Sequence, residues 1–424
     1  MIKKLLTLAA LAAICSQAYC QEKLAGGDIS LLSRYEENGA LYYDHNGSAI
    51  TDMLGYFKQE GWNAMRLRLF VDPSNASETI KGEGVCQDIE YVKSLGKRIK
   101  DAGFKLMVDF HYSDTWADPV KQWTPNSWKD LNDTQLYSKV YEYTKDALTQ
   151  LAAAGATPDL IQTGNEISYG MLWGTENGTT LKKCYPTTTD NWDRFTTILK
   201  NASKACREVC PDASIILHIE RVAQPNVITN FYNRMNEASV DYDIIGLSYY
   251  PYYHGNLNTL EQALTTTESN FIDKNIMIVE TGYPYKWAAA GTTYDYSGTY
   301  PYSDEGQKKL TDDLINMLNK HANVNGLFWW WPEANEYGLD WATERVTDSW
   351  NNSSLFDNQT GKATSALSSL KNFANSQTNS IEGIKTNKTA NSRTFNINGQ
   401  VINNKDINGL PKGIYIKDGK KFIR

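Results

Sequence analysis

DIEYVKSLGKRIKDAGFKLMVDFH (residues 88–111) holds the repeating unit of this chain. Residues 88–102 carry apolar side chains at helical spacing, and the Asp-Ala-Gly at 101–103 stops that helix with a glycine. FKLMVDFH (104–111) then reads as a buried strand. The same two textures recur outward in both directions. Strand-like runs fall at 24–30 (LAGGDIS), 63–70 (NAMRLRLF), 104–111, 158–166 (PDLIQTGNE), 214–220 (SIILHIE), 243–250 (DIIGLSYY), 275–282 (NIMIVETG) and 325–332 (NGLFWWWP). Helical stretches are expected near 50–60, 88–102, 133–154, 190–208, 225–237, 258–270, 304–320 and 361–374. Eight strands alternating with eight helices predict an α/β fold, a (β/α)8 TIM barrel. A doubly wound open sheet would also alternate, but no glycine-rich turn follows the first strand.

The flanks differ from the barrel. MIKKLLTLAALAAICSQAYC (1–20) has a basic start at Lys3 and Lys4 and an apolar run too short to span a membrane, the pattern of an export signal. Export to the periplasm, cell surface or medium is therefore expected. Cys15 or Cys20 as a lipid-anchor residue is the weaker alternative, because Ile14 and Tyr19 are bulky neighbours for that processing. The catalytic barrel is expected over 21–375. Residues 376–392 are Asn/Ser/Thr-rich and linker-like, and 393–424 alternate in short runs with Asn-Gly and Asp-Gly turns, predicting a small C-terminal β appendage. Cys86, Cys184, Cys206 and Cys210 remain in the mature chain as structural cysteines whose pairing the sequence leaves open.

Composition narrows the function. The chain has 424 residues, a net charge of −7, 12 Trp, 26 Tyr and 12 Phe. An acidic balance argues against nucleic acid and anionic membranes, since no surplus of basic side chains is present to meet phosphates. Abundant Trp and Tyr suit wet, hydroxyl-rich ligands, because each offers a flat apolar face with a polar tip.

In such a barrel the reactive groups sit where strands end at the C-terminal face. The fourth strand ends Asn165-Glu166 and the seventh ends at Glu280, so two carboxyls reach one rim. Cleavage of a glycosidic bond needs such a pair. Arg66 and Arg68 share a face of the second strand, and a buried Arg there requires a carboxylate partner. His111 ends the third strand, His218 lies on the fifth, and Tyr250 ends the sixth. Each alone is more often a satisfied core residue; at one rim they resemble a shell of hydrogen-bond groups. Trp116, Trp123, Trp128, Trp173 and the run Trp329-Trp330-Trp331 supply platforms for sugar rings, some of them only packing the loops.

The order LAGGDIS, NAMRLRLFVDPSN, MVDFHYSDTWADPVKQWTPNSW, IQTGNEISYGMLWG, IIGLSYYPYYHG, VETGYPY and GLFWWWPE resembles the endo-β-1,4-galactanases of glycoside hydrolase family 53. The resemblance implies a retaining double displacement on β-1,4-galactan and type I arabinogalactan, side chains of pectin. By motif position it implies Glu166 as acid/base and Glu280 as nucleophile, with carboxyls about 5–5.5 Å apart. It further implies Asn165 on the sugar 2-OH, Arg68 (or Arg66) holding the nucleophile ionised, and His111, His218 and Tyr250 around them. Trp330 would lie under the sugar being cleaved, with Trp116 and Asp118 on the glycone side. Two departures stand out. Trp331 occupies a position where the family usually has Glu. The loop after Glu280 lacks the Asp/His/Asn cluster that holds calcium in some bacterial members, so no cofactor or metal is required, although calcium stays open. A monomer acting on polysaccharide and galacto-oligosaccharides is expected. The competing readings are a sibling endo-β-1,4-mannanase or endo-β-1,4-glucanase using the same glutamates, and a non-catalytic glycan-binding barrel.

Overall fold

The computed structural model describes residues 22–376 except 348, 350 and 351, together with four short strands between 394 and 423. The export signal and the linker expected from sequence lie outside the described residues. Eight parallel strands close into a ring: β1 (Leu24–Asp28), β2 (Ala64–Leu69), β3 (Lys105–Phe110), β4 (Leu160–Thr163), β5 (Ser214–Ile219), β6 (Ile244–Tyr249), β7 (Asn275–Thr281) and β8 (Val324–Trp330). β8 returns beside β1, with Gly26 opposite Phe328. The ring is the expected barrel.

Helices pack outside it because their sequences carry one apolar stripe and an N-terminal cap. Asp88 accepts from the Tyr91 amide to start α1 (Ile89–Asp101), whose chain turns out at Gly103 with φ +78°. Asn132 and Gln135 form a reciprocal capping box at α2 (Asp133–Ala153). α3 (Trp192–Val209), α4 (Pro225–Glu237), α5 (Leu257–Asn270) and α6 (Asp304–Leu318) follow β4 to β7. Before them, Met53–Gln59 fills the space between β1 and β2. The helix expected over 361–374 is reduced to Leu367–Ser369 and Lys371–Ala374. Its first turn is diverted: the Tyr43 amide donates to Gly361 O and the Ala363 amide to Tyr43 O, tying that stretch to a hairpin, Tyr42–Tyr43 with Ala49–Ile50. Sequence reading had assigned no strands there.

Along most strands the inward positions change character from bottom to top. Leu24, Ala64, Met107, Leu160, Ile216, Ile244, Met277, Val279 and Phe328 form an apolar plug inside the ring. By two-residue alternation the inward positions nearer the mouth are Asp28, Arg66, Asp109, Gln162, His218 and Ser248, all fully buried. The apolar half closes the barrel; the polar half underlies its C-terminal mouth. The plug is tight. A Cβ on Gly26 would stand 1.7 Å from the Ala64 carbonyl oxygen of the adjacent strand.

Residues 378–424 form a separate unit. Its strands Thr394–Asn396, Val401–Ile402, Ile414–Lys417 and Lys420–Ile423 pair antiparallel in one sheet. Among the described residues, no helix is long and apolar enough to cross a membrane.

Gly26→Ala should therefore destabilise the barrel by about 1–3 kcal/mol or more, since strand backbone rather than a flexible side chain must yield. Chemical denaturation against wild type measures it.

Candidate active site

The strongest electrostatic object in the barrel is Arg66. Its Nη1 meets Asp28 Oδ2 at 2.9 Å, and its Nη2 meets Asp109 Oδ2 at 2.8 Å and Glu280 Oε1 at 2.9 Å. The two Nη2 protons are aligned on Asp109 and on Asn165 Oδ1 (2.9 Å), so Glu280 is held by charge rather than by an aligned hydrogen bond. The Tyr250 hydroxyl donates to Glu280 Oε2 at 3.0 Å.

Arg68 does something else. Its Nη1 pairs with Asp28 Oδ1 at 2.7 Å, and its guanidinium lies 4.8, 5.1 and 5.2 Å from the rings of Trp116, Trp330 and Trp331. The sequence named Arg68 first as the group holding Glu280. The structure corrects this: Arg66 makes that contact, and Arg68 is the cationic pillar under an indole cluster. Trp330 and Trp331 stack at 5.4 Å and 15°.

Glu280 reaches the mouth through an irregularity. β6 and β7 pair Leu247 with Ile278 but Ser248 with Glu280, so Val279 is an extra residue. This β-bulge shifts the phase, and Glu280 turns inward directly after inward-facing Val279. Glu166 is placed by strain. It has φ +48°, in the left-handed region, just after Gly164 at φ +108°. Tyr112 (φ +50°) and Trp331 (φ +49°) take the same conformation beyond β3 and β8. Such positions cost about 1–3 kcal/mol each and gather at functional sites.

These groups border one cleft of about 750 Å³, whose walls include Trp116, Asp118, Asn165, Glu166, Tyr250, Glu280 and Trp330. Asp118 also folds its own loop, accepting from the amides of Val120 and Lys121. The remaining candidates lie beneath the wall, not on it. His111 is buried; its Nδ1 accepts from the Ala117 amide at 3.0 Å and its Nε2 sits 3.1 Å from Asp109 Oδ2. His218 is buried between Asn165 and Ser248. Both histidines, Arg66 and Arg68 are fully buried and lie behind the cleft wall, where they support the groups that line it. Trp128 and Trp173 are also buried, as loop packing.

The two mouth carboxyls differ in environment. Desolvation pushes Glu280 up to about 7, with Arg66 pulling the other way and Asp109 and Asp28 adding to the rise. Glu166 is driven well above the ordinary carboxylate range by desolvation, then by the charge of Glu280 and of Glu220. A cation touches Glu280; none of the ion pairs among the described residues involves Glu166. Burial also raises Asp109, but Arg66 and His111 overcome it and hold that carboxyl below its usual value.

Sequence reading missed Asp28, Asp109, Ser248 and Glu220. The alternation that paired Arg66 with Arg68 would have found them, since each shares the inward phase of its strand. Glu220 lines the cleft, accepts from Ser168 Oγ at 2.6 Å, and is pushed by burial up to about 7.

The loop beyond β7 fits a calcium ion poorly. Asp304 accepts from the Ser365 amide and hydroxyl, and Asp295 from the Ser297 amide and the Tyr302 hydroxyl. The Asp295 carboxylate is thus committed within the loop and that of Asp304 to Ser365 outside it. Among the described residues, no group of three or more His, Cys, Asp or Glu gathers as metal ligands, and the four cysteines carry no disulfide.

Closed barrel, carboxyl-lined mouth and aromatic wall together define a glycoside hydrolase. The model of glycosyl hydrolase family 53 matches residues 24–371, and the chain belongs to that family. It is 32% identical over 346 residues to an arabinogalactan endo-beta-1,4-galactanase of Cellvibrio japonicus, covering 78% of this chain and 84% of the relative. An endo-beta-1,4-galactanase of Bacillus subtilis is 29% identical over 366 residues, covering 79% and 81%. The solved GH53 catalytic domain of Ignisphaera aggregans superposes with a TM-score of 0.72 at 31% identity, covering 83% of this chain and 96% of that one.

Replacing Arg66 by Met should cost about 3–5 kcal/mol, because Asp28, Asp109 and Glu280 would lose their shared cation in a buried site. Urea unfolding compared with Arg68→Met, which takes a cation from Asp28 alone and leaves it Arg66, should show Arg66→Met as the more damaging, since Asp109 and Glu280 have no other arginine.

Proposed function

We propose that this chain is a retaining endo-β-1,4-galactanase that cleaves internal bonds of β-1,4-galactan and type I arabinogalactan. The observation that carries the reading is the asymmetry of two carboxyls in one cleft, Glu280 beside a buried guanidinium and Glu166 beside none. The names borne by the Cellvibrio and Bacillus relatives support the substrate.

In the first step Glu280 attacks the anomeric carbon while Glu166 gives its proton to the leaving oxygen. In the second, water attacks that carbon, its proton passes to Glu166, and Glu280 leaves as carboxylate. Glu280 must be ionised and Glu166 protonated at the start, which Arg66 on one side and desolvation on the other favour. Once Glu280 is esterified its charge is gone, and Glu166 ionises more readily to act as base. A separation of about 5–5.5 Å belongs to this mechanism. Asn165 is assigned to the 2-OH, Trp330 to stacking beneath the cleaved sugar, and Trp116 and Asp118 to the glycone side. The two glutamates supply the chemistry without a cofactor. The N-terminal segment supports export, and the chain is proposed to act as a monomer.

Linear galactan should yield short galacto-oligosaccharides, with mannan and cellulose inert; release from mannan or cellulose alone would reject the substrate. Proton NMR of the first product should show the β-anomer, and an initial α-anomer would reject the double displacement. Glu280→Gln should abolish turnover while oligosaccharide binding persists by calorimetry. The profile of kcat/KM against pH should be a bell. Activity rises with pH as Glu280 ionises, with an acid limb near 7, and falls at higher pH as Glu166 loses its proton.

A further inference from the structure

Behind Glu166 runs a chain of hydrogen-bonding atoms. Ser248 Oγ lies 2.6 Å from Glu166 Oε1, and His218 Nε2 lies 2.8 Å from Ser248 Oγ. Ser248 and His218 are fully buried, away from any sugar. A hydroxyl has one proton, so the chain runs one way. Either His218 Nε2–H donates to Ser248 and Ser248 to Glu166, or protonated Glu166 Oε1 donates to Ser248 and Ser248 to a bare Nε2.

The other face of the imidazole decides between them. Two donors point at His218 Nδ1: the Glu166 backbone amide at 3.4 Å and the Gln162 side-chain amide at 3.1 Å. Asn165 Oδ1, 3.0 Å from Nδ1, accepts from Arg66 on one of its two lone pairs, so the deciding contact is the Glu166 amide, whose hydrogen is fixed by the backbone and requires Nδ1 to accept. Burial, reinforced by Arg66, pushes His218 well below its ordinary value, so it is a neutral ring with one proton. A bare Nδ1 leaves that proton on Nε2.

We propose that Ser248, oriented by His218, is a positioning residue that donates permanently to Glu166 Oε1 and thereby confines the catalytic proton to Oε2, the oxygen left for the scissile bond. This rests on the acid/base reading of Glu166 given above. The donated bond also stabilises Glu166 as carboxylate, the form needed to activate water in the second step, and so opposes the groups that disfavour its charge. Those are Glu280 on β7, Glu220 beyond β5, Asp118 in the loop after β3, and Tyr250 and Tyr253 beyond β6. None of them changes in a Ser248 variant.

The two polarities predict opposite signs. Removing a donor to the carboxylate raises its pKa; removing an acceptor from the acid lowers it. Ser248→Ala should move the alkaline limb of kcat/KM on galactan upward by about one unit, the size of a hydrogen bond to a charged group. A carbon-13 NMR titration of the Glu166 carboxyl should move in the same direction. Ser248→Thr, which keeps the hydroxyl, should return the limb toward wild type. An unmoved or downward-shifted limb in Ser248→Ala, or a Ser248→Thr limb displaced as far as that of alanine, overturns the proposal. Wild-type protein inert on galactan would count against the substrate, and the NMR titration would still decide the role of Ser248.

Discussion

Everything at the mouth of this barrel depends on burying one guanidinium. Arg66 sits among Asp28 of β1, Asp109 of β3 and Glu280 of β7, so a single planar cation joins three strands that are not neighbours of one another. A buried charge network is a poor source of net stability, because desolvation offsets much of the attraction. Its value is geometric. The fork of donors fixes Asp28, Asp109 and Asn165 around it, and its charge makes Glu280 easier to ionise than Glu166.

The apolar plug below makes that burial tolerable. Strand by strand, the inward side chains pass from Leu, Ile, Met and Phe at the bottom to Asp, Arg, Gln, His and Ser at the top. The plug carries the packing that closes the ring. The upper layer can then hold charges in poor solvent, where their interactions are stronger than in water. Backbone strain recurs at the same level: Tyr112, Glu166 and Trp331 adopt left-handed backbone just beyond their strands.

Much of this was legible in the chain. The alternation of strand and helix is written in hydrophobic periodicity, and helix limits followed caps and glycines, as at Asp88 and Gly103. The failures have physical causes. The helix expected from residue 361 lost its first turn to pairing with a distant hairpin, a non-local interaction that no window of sequence contains. Arg66 and Arg68 look equivalent by period, and only their neighbours across the ring separate a carboxylate partner from an indole partner. His111 and His218 belong to strands that end at the mouth, but their depth beneath it is set by the loops that cover them.

The sequence by itself determined the barrel and its polar mouth, because period and strand ends are properties of local chain order. It also carried the family resemblance. What tertiary structure alone decided is orientation. Strict alternation from Val279 would turn Glu280 out toward the helices; a bulge against β6, where Ser248 faces Glu280, turns it in. A bulge is a mismatch between two strands, so it exists only once both are paired. The same holds for the proton on Glu166, whose position is governed by a serine and a histidine from two other strands.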